Sequence, residues 1–506
     1  MPALINKKTL EIIGKAQKIE SEINVSDSVK INDNSANLNK ILFSSGNVTI
    51  TDKSVYLDTY TIRGQLRVNT LYLSEDDQIE SMSAGIPFEI VGDIPEGENK
   101  TLFVSASVER INTEPLRQRR IDIDATVKIR GFAAVSGNAT QSFQLENKDE
   151  IYTCTAEERA SIIRVLTLSN DYEFEFDPGK IAPGKIISAN VRLINPTTTS
   201  GRSAILYNAL MKAEVIYSCE EDNGGLSYRV FSDTFPVNQV INTAISDEFD
   251  DYTVKADINL EDASFVFGED GIKVKFKTNA CFDALLMKEV SWQRISDIYS
   301  PAKLITAKKN MKGVSNIRRG EKQTITLSES LPLTLESDVL KIAQTGFCTD
   351  YDVLLEDEDF KVSGSISLNV FIVGESVSDA KSFNVKLPFT KMLDESGSIE
   401  DICVDLTVNG LVSEISGDRL NVSVEADLSV ISLINSEIEE IEDIEANDYE
   451  ESDVNYTVIK IHYFQLGETL WNIAKENRSS VMKILRDNSL ECEDDVKVGQ
   501  PLMITR

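Results

Sequence analysis

The chain has 506 residues, enough for about three to five domains of ordinary size, and 41% of them are hydrophobic, so sizeable cores can form. Lys and Arg number 51 against 83 Asp and Glu, which gives a formal net charge of -32. This charge argues against nucleic-acid binding, which needs a basic surface, and against docking on anionic lipid by charge alone. The negative charge could serve solubility or form an acidic surface for a basic partner.

Other features limit the compartment and the chemistry. The first twenty residues lack the unbroken apolar core of a secretory signal, and no apolar run is long enough to span a bilayer. The six cysteines lie more than fifty residues apart, which excludes zinc and redox spacings and favours buried, reduced thiols. His462 is the single histidine, so a multi-histidine metal site is excluded. We therefore expect a cytoplasmic protein with no metal and no cofactor.

Three segments share one pattern, a strand that ends in an aromatic residue and is followed by a Pro/Phe pair. The strands are Gly64–Tyr72, Leu210–Tyr217 and Gly364–Phe371. The Phe of the pair recurs at positions 88, 235 and 389, a period of roughly 150 residues. The chain therefore contains three copies of one structural unit.

Each copy closes with two runs in which apolar and polar residues alternate. These runs are 102–108 and 121–129, then 252–260 and 272–276, then 402–408 and 420–430. Period-two alternation predicts strands with one buried and one solvated face, and so antiparallel sheets. The connectors Gly268–Gly271 and Ser416–Asp418 suit hairpin turns.

The segments that lead into copies one and three also match. Ile23–Val29 parallels Ile325–Leu331 residue by residue, and both run into the Gly-led strand. Copy two diverges most, and its lead-in contains Gly179–Ile186, which imitates a phosphate-binding loop. Ile186 stands where that motif needs Ser or Thr to hold magnesium, and Pro183 lacks a backbone donor, so we interpret this segment as paired turns.

An acidic stretch follows the third copy. Ten of the seventeen residues from Glu437 to Asp453 are Asp or Glu, with no Lys or Arg. Such a run repels itself, which predicts an extended tether; a dock for a basic partner is the alternative. We predict repeat domains at 1–150, 151–290 and 291–435, an acidic linker at 436–455 and a C-terminal domain at 456–506.

The C-terminal domain predicts the order strand, helix, helix, strand around a small core. Thr469 is the expected N-cap of the first helix, the second begins near Ser480, and Asn488 ends it. The predicted apolar faces are Leu470, Ile473 and Ala474 on the first helix and Val481, Ile484 and Leu485 on the second.

Two family resemblances follow from these motifs. The Gly-led strand, aromatic residue and Pro/Phe pair in three copies resemble the SPOCS domain family of spore-forming Firmicutes, over most of residues 20–434. The C-terminal domain is similar to LysM modules, with the family spacing at Gly467, Thr469, Leu470, Trp471, Ile473, Ala474, Asn488, Val498, Gly499, Gln500, Leu502 and Ile504. Glu468, Leu466 and His462 depart from that pattern, since these positions are commonly Asp, polar and aromatic. The fold class is therefore mainly β, with three antiparallel strand-rich repeats and a small α+β (βααβ) domain.

The LysM resemblance implies a binding site between the loop before the first helix and the loop after the second. We expect it to comprise Leu466, Gly467, Glu468 and Thr469, the adjoining Trp471, and Asn488, Ser489 and Leu490. Trp471 could serve the core or the contact. LysM modules typically bind N-acetylglucosamine polymers, but the loop 488–496 is acidic and lacks an aromatic residue, so a sugar and a protein surface both remain possible ligands.

The combination of three SPOCS-like copies with one LysM module resembles clostridial spore coat morphogenetic proteins. This resemblance implies a non-enzymatic scaffold in the mother cell cytoplasm, at the forespore surface, whose LysM head binds the coat ATPase SpoIVA and whose repeats contact other coat proteins. A peptidoglycan-binding protein of the cortex or cell wall is the alternative. An enzyme is a third hypothesis, but the sequence shows no catalytic constellation: His462 has no Ser or Cys motif near it, and the carboxylates alternate with Lys and Thr as on a solvated face.

Overall fold

Antiparallel strand pairing accounts for most of the regular structure. A computed structural model describes residues 4–32, 35–117, 119–145, 151–177, 183–201, 203–220, 226–243, 249–268, 271–333, 341–356, 359–374, 380–393, 399, 401–449 and 459–505. Within these ranges the chain forms two sheets in each of three repeats and one two-stranded sheet near the C-terminus. No helix among these residues is long and apolar enough to cross a membrane.

The first repeat contains two three-stranded sheets in the orders β1-β6-β5 and β2-β3-β4. Its strands are β1 (Leu4–Lys30), β2 (Leu38–Tyr56), β3 (Thr59–Ser74), β4 (Ile79–Asp93), β5 (Glu98–Arg117) and β6 (Arg120–Leu145). The lead-in strand β1 pairs with the last strand of the repeat, so that Val25 lies opposite Ala125. Each repeat is thus closed by a pairing between its beginning and its end.

The second and third repeats follow the same plan. Repeat two has the sheets β11-β12-β7 and β10-β9-β8; in repeat three, β19 pairs with β13, β14 and β18, and the second sheet is β15-β16-β17. Their strands are β7 (Tyr152–Phe176), β8 (Pro183–Ser200), β9 (Ala204–Glu220), β10 (Leu226–Asn242), β11 (Asp251–Gly268), β12 (Gly271–Tyr299), β13 (Leu304–Arg319), β14 (Gln323–Pro332), β15 (Lys341–Glu356), β16 (Asp359–Val373), β17 (Lys381–Met392), β18 (Asp401–Ser416) and β19 (Arg419–Asn447).

The period-two runs lie on the buried faces of the closing strands, which confirms the predicted fold class. Alternate residues of β6 from Ile121 to Ile129 are fully buried, as are those of β19 from Leu420 to Val430. The matched lead-ins also occupy equivalent places, since Val29 pairs with Ile121 and Leu331 with Leu420. Each repeat has its own apolar core between its two sheets.

Beyond these cores the lead-in and last strands of each repeat continue as paired strands, two-stranded over most of their length, that pack on one another. We call this the ribbon bundle: residues 4–20 with 130–145, 152–163 with 287–299, and 304–319 with 431–447. Apolar residues of all three repeats share one cluster here, among them Phe132, Met287 and Leu433. Asn435 joins repeat three to repeat one, because its side chain accepts from Ala16 N at 3.0 Å and donates to Ala16 O at 3.1 Å.

The acidic stretch corrects one expectation. As far as Asn447 it is the end of β19, paired with β13 inside the ribbon bundle, rather than a self-repelling tether. Ile438, Ile441 and Ile444 are buried, and lysines of β13 offset the acidic charge through ion pairs, as Lys309 does with Glu439 at 2.8 Å. The stretch beyond Tyr449, to 458, lies outside the described residues, and the domain boundaries stay a proposal.

The structure also bears on the imitation phosphate-binding loop and on the cysteines. Residues 179–182 of the imitation phosphate-binding loop lie outside the described residues, and the nearby Lys185 is held by Glu80 at 2.8 Å. All six cysteines are free thiols, but only Cys219 and Cys403 are buried and Cys492 is exposed. The expectation of burial was therefore wrong for Cys492.

The three repeats meet at a common centre. Ser105, Lys255 and Asp405 lie in the first closing strand of their repeats, 150 residues apart along the chain. Ser105 Oγ donates to Asp405 Oδ1 at 2.6 Å, and Lys255 Nζ lies 3.0 Å from Ser105 Oγ and 3.5 Å from Asp405 Oδ1. We call these residues the axial triad, because equivalent positions that meet in this way define an approximate threefold axis.

Candidate functional site

The C-terminal head comprises strand β20 (Ile459–Tyr463), helices α1 (Leu470–Glu476) and α2 (Val481–Asp487), a 3₁₀ turn (Glu493–Asp495) and strand β21 (Pro501–Thr505). The hydroxyl of Thr469 caps α1 by accepting from Asn472 N at 3.2 Å, and Ser480 caps α2 in the same way through Lys483 N. These caps satisfy backbone donors that the helix itself leaves unpaired. Both predicted helix starts are confirmed.

The predicted apolar faces form the core of the head. Leu470, Ile473, Ala474 and Ile484 are buried, with Leu502 and Ile504 of β21 packed against them. Val481 and Leu485 are half-buried beside this core. Such short helices depend on tertiary packing rather than on intrinsic propensity.

The first predicted binding loop is a rigid turn. The Glu468 carboxylate accepts from Gln465 N at 2.8 Å and lies 2.8 Å from His462 Nε2. The hydrogen bonds from His462 and the Gln465 N–H lower the pKa of Glu468. Gly467 has φ +89°, a left-handed conformation that favours glycine. This turn holds the side chain of Leu466 in solvent, 88% exposed.

The second predicted loop is occupied with structural tasks. Asn488 ends α2 and also bridges to β21, since its amide donates to Ile484 O and Met503 O while its oxygen accepts from Met503 N at 2.7 Å. Leu490 packs on the core of the head, and Ser489 is exposed in a left-handed conformation with φ +56°. A shared binding patch formed by both loops stays a prediction.

Trp471 contacts the repeat array. Its Nε1 donates to Asp297 Oδ2 at 2.8 Å, and its ring stands edge-on to Tyr299 with centroids 4.8 Å apart. Lys475 Nζ donates to both oxygens of Asp297, at 2.6 and 2.7 Å. We call this contact between α1 and the end of β12 the docking contact. Trp471 also packs against the core of the head, as the core interpretation expected, whereas its contact with the array was not predicted.

Opposing effects set the pKa of Asp297. Partial burial raises the pKa, but hydrogen bonds from Lys475 and Trp471 outweigh it and leave the pKa lowered. A second contact supports the docking, because the Arg478 guanidinium lies 3.6 Å from the ring centroid of Tyr449, whose hydroxyl donates to Ser300 O. The docked head therefore favours an ionised Asp297.

Sequence reasoning missed Asp297, Tyr299 and Tyr449, which lie in or after ordinary strands of the array and carry no motif. It also missed an exposed apolar face on β20, where Ile459, Ile461 and Tyr463 are all more than half exposed. The alternation of this face with Lys460 and His462 was a signal that could have revealed it.

The described chain is thus a strand-rich repeat array that presents a small βααβ module. Comparison with known families agrees with this architecture. The family model described as "SipL, SPOCS domain" matches residues 37–116, which span β2 to β5, and the model described as "LysM domain" matches residues 462–505. The chain therefore combines a SPOCS domain with a C-terminal LysM domain, as SipL-type proteins do. No curated protein matches the chain.

Proposed function

We propose that the chain is a non-enzymatic scaffold of spore coat assembly whose LysM head binds a SpoIVA-type coat ATPase at the forespore surface, in the mother cell cytoplasm. The SPOCS match and the LysM match place the chain among sporulation-related LysM proteins. Other coat proteins are the proposed partners of the repeats. The ATPase itself is inferred from the resemblance of the whole architecture.

The exposed side chain of Leu466 is the observation that best supports a protein ligand for the head. An isolated apolar side chain on a surface needs no explanation by itself, but Leu466 stands on a turn fixed by two hydrogen bonds to Glu468. A rigid apolar projection loses little conformational freedom on binding, which is the property of an interface anchor. Docking of Trp471 on the array leaves Leu466 exposed.

Replacing Leu466 with Lys tests this proposal in the full chain. We expect the free energy of binding to the coat ATPase to weaken by about 1–3 kcal/mol if Leu466 is buried at the interface. The matched control is Met482→Lys on α2, because Met482 is also a highly exposed apolar residue of the head, at 78%. Melting curves should be unchanged for both variants, since both side chains lie in solvent.

The two variants separate the possible outcomes. Weaker binding by Leu466→Lys alone supports the proposed surface. Weaker binding by Met482→Lys alone would place the partner on the exposed side of α2, around Lys483 and Arg486. Unchanged binding by both would contradict a partner on either surface.

A sugar ligand is the second candidate, because the LysM match itself favours N-acetylglucosamine polymers of peptidoglycan or cortex. Against it, the one tryptophan of the head is engaged by Asp297 and Tyr299, and the 3₁₀ turn adds three exposed carboxylates to the second loop. We expect weak or no binding of chitin and muropeptide oligomers in calorimetry. Micromolar or tighter binding would favour the sugar function instead.

A further inference from the structure

The three repeats line a partly open cavity of about 600 Å³ at the axial triad. Its walls come from equivalent elements of the repeats: β2 and β5 of the first, β8 and β11 of the second, and β15 and β18 of the third. A volume of this size lies in the range of small-molecule sites. The cavity therefore has room for a ligand, and its lining determines the chemistry of that ligand.

The cations that line the cavity each have an acidic partner among the described residues. Five Arg and Lys side chains belong to the lining, and each forms an ion pair with an Asp or Glu. These pairs are Arg130–Glu20, Arg192–Glu214, Lys255–Asp405, Arg319–Asp251 and Lys322–Asp427. An anionic ligand would have to compete with a carboxylate at every one of them.

Asp257 is different from the other two carboxylates of the lining. Asp405 and Asp427 are engaged by Lys255 and Lys322, whereas no ion pair or hydrogen bond of the Asp257 side chain is found within the described part of the chain. The exposed side chain of Asp257 lines the cavity. The free charge that this lining offers a ligand is therefore negative.

The surroundings of Asp257 disfavour its ionisation. Enclosure by protein, together with Asp405 and Asp283, raises the pKa of Asp257 to about 6, while Lys53 and Lys255 act in the opposite direction. Tyr207 and Cys281 also face this carboxylate. At neutral pH the carboxylate is therefore mostly ionised but poorly compensated, and a bound cation would supply the missing charge.

The repeat symmetry defines the donors that fit. In the axial triad, an ammonium of the chain itself, Lys255 Nζ, lies between the Ser105 hydroxyl and the Asp405 carboxylate. Two residues further along the same strands, Ser107, Asp257 and Thr407 occupy equivalent positions, and all three line the cavity. This second layer repeats the hydroxyl and carboxylate acceptors but contributes no ammonium of its own; the Ser107 hydroxyl accepts a long hydrogen bond from Arg130 Nη1 at 3.4 Å and keeps a second lone pair. A primary ammonium has three N–H donors, which matches three acceptors around an approximate threefold axis.

We propose that the cavity binds a small organic cation, a hydroxylated primary amine, whose ammonium lies on Asp257 between Ser107 and Thr407. The rest of the lining supports the hydroxyl groups, because Asn69, Asn190 and Thr198 offer further donors and acceptors at the cavity surface. This site lies in the array and is independent of the function proposed for the head.

Calorimetry of the full chain with glucamine and with sorbitol tests the proposal. The two probes differ only by the replacement of one hydroxyl with an amine. We expect glucamine to bind and sorbitol to bind at least about tenfold more weakly, since loss of one charged hydrogen-bonded pair is worth about that factor. Lowering the pH from neutral to about 5 should weaken glucamine binding, because Asp257 becomes protonated.

The variant Asp257→Asn should reduce the affinity for glucamine at least about tenfold. It is not expected to unfold the protein, because it removes a carboxylate whose ionisation the enclosure disfavours. Asp262→Asn is the matched control, since Asp262 is exposed on the same strand and outside the lining; its affinity should equal that of the unmodified chain. Equal binding of both probes, no binding of glucamine at millimolar concentration, or unchanged binding by Asp257→Asn would overturn the proposal.

Discussion

The axial triad and the docking contact use the same chemistry in two different settings. In each, one aspartate receives a lysine and a second donor: Asp405 receives Lys255 and Ser105, and Asp297 receives Lys475 and Trp471. The axial triad lies beside a shared apolar cluster in which all three repeats take part. The docking contact is backed by a smaller apolar contact, in which Tyr299 packs with the core of the head and stacks on Tyr152, and by Arg478 over the ring of Tyr449.

This difference predicts different cooperativity. Apolar burial supplies most of the free energy of folding, whereas a partly exposed polar contact supplies little. The three repeats should therefore unfold as one unit, and the head should separate from them without unfolding them. The apolar clusters thus hold the three repeats together as one unit, whereas the docking contact attaches the head reversibly.

The largest expected effect is that of Gly131→Ala at the centre of the array. Gly131 has φ +152°, and an added Cβ would lie 2.0 Å from Phe103 O. Backbone strain and overpacking together should lower the free energy of unfolding by about 3 kcal/mol or more. Gly271→Ala is the control, because Gly271 has φ +120° with nothing near its Cβ position; denaturant melts should show a smaller loss, about 1 kcal/mol.

Lys255→Met should have the next largest effect. It leaves Asp405 without its cation and Asp257 without one of its two compensating lysines, so we expect a loss of about 2–4 kcal/mol. Lys361→Met removes a surface ion pair with Glu356 instead and should cost at most about 1 kcal/mol. Comparable losses in the two denaturant melts would mean that the axial triad contributes no more than a surface pair.

Asp297→Asn should weaken the docking contact without weakening the array. Loss of the charged acceptor for Lys475 and Trp471 should make head release easier by about 1–2 kcal/mol. Limited proteolysis between β19 and β20 is the measurement, and faster cleavage with an unchanged melt of the array is the expected outcome. An unchanged cleavage rate would show that Asp297 does not hold the head.

Acid should have the same effect as that substitution. The pKa of Asp297 is lowered in the docked state, so its contribution is present above its ordinary value, near 3.9. This contribution is lost as the pH falls below that value through the folded pKa. Head release followed by Trp471 fluorescence should rise below about pH 4 in the unmodified chain; a flat profile there, or an equal rise in Asp297→Asn, would contradict this assignment.

The smallest expected effect is that of His462→Gln combined with Cys492→Ser. Gln can still donate to Glu468, and Cys492 is exposed. Coat assembly and the melt of the head should stay close to normal, within about 0.5 kcal/mol. Loss of assembly in a folded double variant would reveal chemistry that the proposed scaffold does not use.

Local patterns in the sequence predicted local structure well. The alternation from Leu420 to Val430 defines a buried strand face, and the LysM spacing gave both helix caps at Thr469 and Ser480. Each of these depends on residues close together in the chain.

The remaining features depend on residues far apart or on broken periodicity. Nothing in the sequence around Ser105 or Asp297 shows that Asp405 or Trp471 will lie against them. The strand within the acidic stretch was missed because its isoleucines are three residues apart. Ile438 therefore packs in one apolar cluster and Ile441 in another. A register shift at Lys308/Lys309 places Ile444 in the same cluster as Ile441. A bulge of this kind hides a strand from a period-two search.

Hydrogen exchange on the full chain, measured for Gly131→Ala and the unmodified protein, tests most directly whether the three repeats form one unit and the head another. Gly131 lies in repeat one. The shared centre predicts that exchange becomes faster in the cores of all three repeats together, while the amides of α1 and α2 keep their protection. Faster exchange confined to repeat one, or loss of protection in the head to the same extent as in the array, would contradict this account.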